Sequence, residues 1–186
     1  MRSAAIVPAA GSAERFGGPK LRADLGGRTL IERTVASLRD GGVSEIVLVV
    51  GPETGPLLDE PDVRVALNAD PSPGMFSSLQ AGLRSVRADA LVVLPGDMPF
   101  VLPSTVRSLL QAFEARPGII SPRYRGKRGH PVVLPGVLRD EIIGAEPGAT
   151  LHQVIAAHRD LRIDLDVEDR GVVRDVDRPE DLLPRA

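Results

Sequence analysis

The sequence contains no cysteine and no tryptophan, and aromatic residues make up only 3% of its 186 residues. The absence of cysteine excludes disulfides, zinc–thiolate sites and thiol catalysis, and it is consistent with the cytoplasmic location that we expect. The scarcity of aromatic residues argues against stacking surfaces for single-stranded nucleic acid. A net charge of −2 also lacks the basic excess of nucleic-acid-binding proteins. We therefore expect no nucleic-acid partner.

Long apolar runs are missing as well. Residues 3–10 are small and apolar, but Pro8 interrupts them and the run is too short to span a bilayer. No targeting segment is recognisable, so we expect no membrane association. Lysine is also scarce, because only Lys20 and Lys127 occur among many arginines. A lysine within a glycine-rich loop, such as Lys20, is therefore more informative than usual.

Short apolar runs alternate with helical patterns, which predicts an α/β domain with a mostly parallel sheet covered by helices. With 42% hydrophobic residues, the chain suits a single domain over residues 1–186. Strands are predicted at 4–7, 45–50, 63–67, 90–94, from 119, at 132–134 and at 161–167. Helices are predicted from the capping box at Thr29 to Gly41 and at 75–86, 104–115, 136–144 and 149–158. Ligands in such folds bind beyond the carboxyl ends of the strands.

The loop after the first predicted strand, residues 8–28, combines small residues with Arg15 and Lys20. Small residues let backbone N–H groups approach a polyphosphate, and an arginine can bind phosphate oxygens through two donors. The loop is not a Walker A motif, because Leu21 follows Lys20 where Ser or Thr would hold magnesium, and it is not G-x-G-x-x-G. The alternative interpretation is an ordinary turn with solvated charges.

A carboxylate, Asp97, follows the fourth predicted strand and is flanked by Pro95 and Pro99. Magnesium prefers hard oxygen ligands, often one or two carboxylates together with substrate phosphates. An Asp in a Gly-Asp turn can equally serve only to cap that turn. Both interpretations stay open from these residues alone.

The first loop resembles the A-A-G-x-S-x-R-x-G-x-x-K signature of the molybdenum cofactor cytidylyltransferase-like family, nucleotidyltransferases of the molybdopterin NTP-transferase group. Ala13 stands where the family has Ser. The resemblance implies a nucleotide-diphospho-sugar transferase-like, three-layer α/β domain with a mixed, mainly parallel central sheet. It also implies residue roles in this loop: nucleotide binding for Ala9, Ala10, Gly11, Arg15 and Lys20, and catalysis for Arg15 and Lys20.

The turn at Asp97 is similar to the family's L-x-x-D-x-P motif, and residues 175–182 are similar to its D-x-D-T-P-x-D-L motif, with Arg178 in place of Thr. The resemblance implies that Asp97 and Asp177 bind Mg²⁺, and Asp175 stays open as an alternative to Asp177. Glu180 and Asp181 are interpreted as structural, because acids at the start of a helix favour its dipole.

Two further motifs concern the substrates. Residues 68–83 resemble N-x-x-x-x-x-G-M-x-x-S-L-x-x-G-L, which implies that Ser78 lies near the nucleotide, although a serine in a first helical turn has a structural explanation. The run from Arg128 to Pro131 resembles the family's R-G-H-P motif, which implies that Arg128 and His130 contact an anionic acceptor. A solvated basic turn is the alternative.

The resemblance as a whole implies an Mg²⁺-dependent nucleotidyltransferase that transfers CMP from CTP to the phosphate of molybdopterin and releases pyrophosphate. A molybdenum hydroxylase, or the chaperone of one, is the implied protein partner. The alternatives are a related enzyme that uses GTP or UTP with another phosphorylated acceptor, and a non-catalytic chaperone that binds the cofactor. A nicotinamide-dependent oxidoreductase is disfavoured, because G-x-G-x-x-G is missing from the sequence.

Overall fold

A computed structural model describes residues 1–11, 16–55 and 57–182, and these residues form eight strands and five α-helices. The strands are β1 (Ser3–Pro8), β2 (Glu45–Val50), β3 (Val63–Leu67), β4 (Ala90–Val93), β5 (Ile119–Tyr124), β6 (Lys127–Arg128), β7 (Val132–Pro135) and β8 (Arg162–Asp166). The α-helices are α1 (Leu30–Asp40), α2 (Met75–Leu83), α3 (Pro103–Ala115), α4 (Arg139–Gly144) and α5 (Leu151–Ala157). Short 3-10 turns lie at Lys20–Arg22, Gly136–Leu138, Arg159–Leu161, Arg170–Val173 and Pro179–Leu182.

The strands form one mixed sheet in the order β3-β2-β1-β4-β7-β5-β6, with β8 paired parallel to β5. Strands β1 to β4 are mutually parallel, and β7 is antiparallel to both β4 and β5. The predicted sheet, mixed but mainly parallel, is thus confirmed. The carboxyl ends of β1 and β4 and the beginning of β7 consequently meet at one edge of the sheet.

Strands β1 and β4 are buried along their whole length, as expected for parallel strands covered on both faces. One hydrophobic cluster joins their first face to α1 and α3 through Ile31 and Leu109. A second cluster joins the opposite face to α2, α4 and α5 through Leu79, Ile142 and Val154. The layers are therefore helix, sheet and helix, as predicted.

Helix α2 packs unusually close to the sheet. A Cβ atom added at Gly82 would lie 2.6 Å from Cγ2 of Ile6 and 2.8 Å from Cγ2 of Val49. The close backbone approach that a glycine inside this helix suggested is therefore present. The predicted helix over residues 75–86 ends early, at Leu83, where Nε of Arg139 donates to the carbonyl oxygens of Leu83 at 3.0 Å and Val86 at 2.7 Å.

Other predicted elements differ in extent. The capping box of α1 is present, because Thr29 Oγ1 accepts from Glu32 N and Thr29 N donates to the Glu32 carboxylate. The predicted helix over 136–144 is divided into a 3-10 turn and α4, and the predicted basic turn after Tyr124 contains β6. Within the part of the chain that the structure describes, no helix has both the length and the apolar character needed to cross a membrane.

Candidate active site

Three charged side chains meet at the carboxyl edge of the sheet. Lys20 Nζ donates to Asp97 Oδ2 at 2.8 Å and to Asp177 Oδ1 at 3.2 Å. The Lys20 side chain is 14% exposed, against 25% for Asp97 and 44% for Asp177. One ammonium group is thus shared by two carboxylates that lie far apart in the sequence.

Asp97 is positioned by the ends of the two central strands. Gly96 N donates to Pro8 O at 3.0 Å, so the turn that carries Asp97 is joined to the end of β1. Thr34 Oγ1 in α1 donates to Gly96 O at 3.0 Å, which connects the same turn to a buried helix. A rigid sheet and a core helix therefore set the position of Asp97.

Asp177 lies in a segment that we call the C-terminal strap, residues 169–182. Val176 N donates to Asp97 O at 2.9 Å, and Val176 is fully buried, so the strap is fixed directly to the Asp97 turn. The Asp181 carboxylate accepts from Asp177 N at 3.1 Å and from Arg178 N at 3.0 Å. The interpretation of Asp181 as structural agrees with these bonds.

The strap is also anchored at its beginning. The Asp169 carboxylate is 5% exposed and accepts hydrogen bonds from Leu102 N, Thr105 Oγ1 and Gly171 N, which satisfies backbone donors at the start of α3. Further along, Val172 O accepts from His130 N at 2.8 Å. A Cβ atom at Gly129 would lie 1.8 Å from that same carbonyl oxygen, so only glycine permits this contact.

Burial has the largest single effect on the pKa of Lys20 and lowers it, because desolvation disfavours the charged form. Hydrogen bonds and Coulomb attraction from Asp97 and then Asp177 act in the opposite direction and together exceed it. The pKa of Lys20 is consequently raised above its usual value of 10.5. Lys20 is a cation throughout the physiological pH range.

The two carboxylates are suitable ligands for a divalent metal. Both already contact one cation, the Lys20 ammonium, so a positive charge lies between them even without a metal. Among the residues that the structure describes, no group of three or more His, Asp or Glu side chains could hold a metal ion. A two-carboxylate site suits Mg²⁺, whose remaining ligands in such sites are substrate phosphates and water.

The predicted phosphate loop is described in part. Ala9 and Ala10 are buried at the end of β1, and Ala9 N donates to Val49 O at 2.8 Å. Gly11 is exposed. Arg15, predicted to bind the nucleotide and to act in catalysis, lies outside the described residues. The structure therefore brings Lys20 together with the two predicted metal ligands, and the role of Arg15 stays a prediction.

Ser78 is predicted to lie near the nucleotide. It is 3% exposed, and its Oγ accepts from Asn68 Nδ2 at 3.0 Å. The same amide donates to Ser77 Oγ at 2.9 Å. Asn68 thus fixes the first turn of α2 to the end of β3, which gives Ser78 a structural contact. Its contact with a nucleotide stays a prediction.

Arg128 is predicted to bind the acceptor. Its guanidinium donates through Nε and Nη2 to the two oxygens of Asp164, at 2.7 and 2.6 Å. The hydrogen bond with Arg128 lowers the pKa of Asp164 below its usual value. The pair joins β6 to β8, so an acceptor that used Arg128 would have to share it with Asp164 or displace it.

His130 lies closer to the three charged residues. Its Nδ1 lies 3.2 Å from Val93 O, which can only accept, so Nδ1 carries the proton and Nε2 is left as an acceptor. Burial lowers the pKa of His130 below its usual value, although the bond to Val93 and the charge of Asp97 oppose this effect. His130 therefore presents a neutral imidazole at neutral pH.

Sequence reasoning missed the residues that shape the strap. Arg174 places its guanidinium carbon 3.7 Å from the centre of the Phe100 ring, and its Nη2 donates to Asp181 O at 2.7 Å. No local pattern links Arg174 with Phe100, because they are distant in sequence. A signal for Asp169 did exist, since an Asp two residues before a Gly favours a turn in which the side chain accepts from the backbone.

Comparison with known proteins identifies the family to which the sequence is similar. The family model described as "MobA-like NTP transferase domain" matches residues 5–161. The nicotine blue oxidoreductase of Paenarthrobacter nicotinovorans is 31% identical over 192 aligned positions, which cover 95% of this chain and 93% of that protein. The molybdenum cofactor cytidylyltransferase of Escherichia coli K12 is 21% identical over 182 positions, which cover 96% of this chain and 92% of that protein.

A solved structure is similar over nearly the whole chain. The Rv0371c protein of Mycobacterium tuberculosis superimposes with a TM-score of 0.85 at 25% identity, covering 97% of this chain and 95% of that one. The same protein was also solved in complex with manganese, and that structure gives a TM-score of 0.75 at 23% identity over 90% of this chain and 89% of that one. The likeness confirms the three-layer fold.

Proposed function

The chain belongs to the MobA-like NTP transferase family and is a nucleotidyltransferase, and on this premise we propose that it transfers CMP from CTP to the phosphate of molybdopterin with release of pyrophosphate. We propose Mg²⁺ as its cofactor, held by Asp97 and Asp177. The preference for CTP is supported by the likeness to the Escherichia coli cytidylyltransferase, which extends over 96% of this chain.

The observation that carries the proposal is the sharing of Lys20 Nζ by Asp97 and Asp177. It places one cation and two carboxylates at the strand ends where α/β sheets bind ligands. A triphosphate would draw the ammonium towards its own oxygens and leave both carboxylates available for a metal. We propose that the nucleotide loop contributes Ala9, Ala10, Gly11 and Arg15 to the binding of the triphosphate.

In this reaction an oxygen of the acceptor phosphate attacks the α-phosphorus of CTP, and pyrophosphate leaves. Bound Mg²⁺ supplies neutralisation of phosphate charge and orientation of the phosphate chain. Lys20 and Arg15 stabilise the negative charge that develops on the α-phosphate and the leaving group. Since the nucleophile is already anionic, no residue has to remove a proton, and positioning and electrostatics suffice.

The acceptor is proposed to bind beside β7. His130 offers a neutral nitrogen there, and Arg128 adds a guanidinium at the exposed edge. Ser78, in the first turn of α2, would lie on the nucleotide side. A molybdenum hydroxylase, or its chaperone, is the proposed recipient of the product.

Pyrophosphate release tests the proposal. We expect purified protein to release pyrophosphate from CTP only when both Mg²⁺ and molybdopterin are present, and faster than from GTP or UTP. The Asp97→Asn variant should lose about 100-fold or more in rate, because it removes a charged metal ligand. The matched control is Asp62→Asn, since Asp62 is an exposed carboxylate paired with Arg39 just before β3, at the opposite edge of the sheet.

The outcomes separate the alternatives. Wild-type turnover by Asp97→Asn would refute the metal assignment. A faster reaction with GTP would favour the guanylyl-transferring alternative, and CTP binding without any turnover would favour a cofactor-binding chaperone.

A second candidate follows from the 31% identity to an oxidoreductase over 95% of the chain. In this candidate the same edge of the sheet would bind nicotine blue, the compound in the name of that relative. The test is the oxidation of NADH or NADPH in the presence of nicotine blue. Turnover there, together with no pyrophosphate release from any triphosphate, would replace the transferase proposal.

A further inference from the structure

The C-terminal strap and the Asp97 turn are joined by a closed series of contacts. Val176 N donates to Asp97 O, which brings the strap to the turn immediately before Asp177. Arg174 lies over the ring of Phe100, three residues after Asp97, and donates to the carbonyl oxygen of Asp181. The strap is therefore attached to the Asp97 turn at two positions before Asp177, and Arg174 also holds the backbone of Asp181, which follows it.

The bend from Asp177 to Asp181 is fixed by a carboxylate. Asp181 Oδ2 accepts from the backbone N–H groups of both Asp177 and Arg178, and Asp181 N donates to Arg178 O at 3.0 Å. These bonds set the direction in which the Asp177 side chain leaves the backbone. Its Oδ1 then reaches the same ammonium as Asp97, at 3.2 Å.

The distance between the carboxylates of Asp97 and Asp177 is not set by sequence proximity or by a shared strand. Asp97 follows β4, whereas Asp177 lies beyond residue 161, where the match to the family model ends. The separation of the two carboxylates thus depends on non-covalent contacts of the strap. Residues that orient metal ligands in this way commonly change metal affinity by about 10- to 100-fold when they are replaced.

We infer that Arg174 and Asp181 are positioning residues that hold Asp177 at the distance from Asp97 that a divalent metal requires. The inference rests on the proposed metal-dependent transfer. Asp181 acts through the backbone of Asp177, and Arg174 acts by joining the backbone of Asp181 to the ring of Phe100.

Removing the charge of Arg174 would change metal affinity in opposite directions under the two explanations. If Arg174 influenced the site only through its charge, its removal would strengthen metal binding, because a cation repels a cation. If it positions Asp177, its removal must weaken metal binding. Arg174→Met keeps an unbranched side chain and removes the guanidinium that lies over Phe100. Arg178→Met is the matched control, since Arg178 is an exposed cation adjacent to Asp177.

The experiment is a calorimetric titration of Mn²⁺ into each variant with the α,β-methylene analogue of CTP present. We expect Arg174→Met and Asp181→Ala each to raise the Kd for Mn²⁺ by about 10-fold or more. Asp181→Asn should stay within about threefold of wild type, because its amide oxygen can still accept from the two N–H groups. Arg178→Met should keep the wild-type Kd or lower it.

Thermal unfolding accompanies each titration, so that a loss of fold is recognised. Phe100→Leu provides a second test, because it keeps apolar bulk and removes the aromatic face; we expect a raised Kd for Mn²⁺ here too. Equal Kd values for wild type, Arg174→Met, Phe100→Leu and Asp181→Ala would overturn the inference. If wild type itself binds no Mn²⁺ with the nucleotide analogue, the proposed function fails, which is a different result.

Discussion

At the scale of single residues, the site is governed by one ammonium group between two carboxylates. Lys20 lowers the repulsion between Asp97 and Asp177 when no other cation is present. Its raised pKa means that this attraction is present below pH 10.5 and is lost only as the pH rises through the higher folded-state pKa. The same Lys20 ammonium is the group proposed to bind the triphosphate.

Replacing Lys20 by Met should make the stability of the protein depend on a divalent cation. The two carboxylates would then face each other unpaired, so we expect a loss of about 1–3 kcal/mol in the free energy of unfolding without Mg²⁺. Added Mg²⁺ should restore most of that loss, and it should stabilise the variant more than it stabilises wild type. Thermal unfolding with and without Mg²⁺ measures this, and Lys127→Met controls for the loss of the only other lysine.

An equal response of Lys20→Met and Lys127→Met to Mg²⁺ would contradict the prediction. Turnover should also fall by about 100- to 1000-fold in Lys20→Met and stay unchanged in Lys127→Met, because of these two lysines only Lys20 is proposed to stabilise developing charge.

His130 should make stability depend on pH. Burial lowers its pKa in the folded state, so the unfolded chain binds the proton more readily once the pH falls below the usual value of 6.5. Stability is therefore expected to decrease as the pH falls from 6.5 to the lower folded-state pKa, and this component should be absent from His130→Gln. Urea unfolding across this range measures it. His152→Gln, which changes an exposed histidine on α5, is the control for the loss of a histidine side chain.

At the scale of elements, the close packing of helix α2 against the sheet depends on the glycine at position 82. Helix α2 carries Ser78 and its neighbours, and Gly82 on the same helix faces β1 and β2. The distance between helix and sheet thus depends on a missing side chain. Asn68 also ties the first turn of α2 to the end of β3, so the position of this helix determines where Ser78 lies.

Gly82→Ala should destabilise the protein even though alanine favours helices. Helix propensity alone would give a gain of about 1 kcal/mol, but the new methyl group would overlap the side chains of Ile6 and Val49 in the core. We expect a net loss of about 1–3 kcal/mol in the free energy of unfolding, measured with urea. Gly144→Ala at the end of α4 is the control, since no heavy atom lies within 4 Å of its added Cβ, and it should be neutral or stabilising. Equal effects of the two substitutions would contradict the packing argument.

At the scale of the whole molecule, the site is assembled from the beginning and the end of the chain. Lys20 and Asp177 come from opposite ends of the sequence, and the central strands hold Asp97 between them. The family model stops at residue 161, so the strap that brings Asp177 lies outside it. A single domain over residues 1–186 stays a prediction.

Substrate binding should therefore stabilise the whole fold. We expect CTP and Mg²⁺ together to raise the free energy of unfolding by about 2.7 kcal/mol when the free complex is at 100 times its Kd. Either component alone should have a smaller effect, because the triphosphate and the metal each neutralise charge that the other presents. Calorimetric unfolding with CTP, Mg²⁺, both or neither measures the linkage. Strictly additive effects would contradict the shared site.

Local sequence determined the elements and the list of candidate residues. Buried strands appear as continuous apolar runs, and the capping box at Thr29 marks a helix start, because these patterns depend on neighbours a few residues apart. The charged residues Lys20, Asp97 and Asp177 were found by motif. That they meet around one ammonium group could not be read from any local pattern.

Tertiary structure decided what each candidate residue contacts. Only the strand order brings β4 beside β1, and only long-range bonds bring the strap to Asp97. Arg128 was predicted from its motif, yet its pairing with Asp164 on β8 depends on sheet topology. Arg174 escaped prediction for the same physical reason: its partner Phe100 is set by packing between distant segments, and the sequence around either residue carries no trace of it.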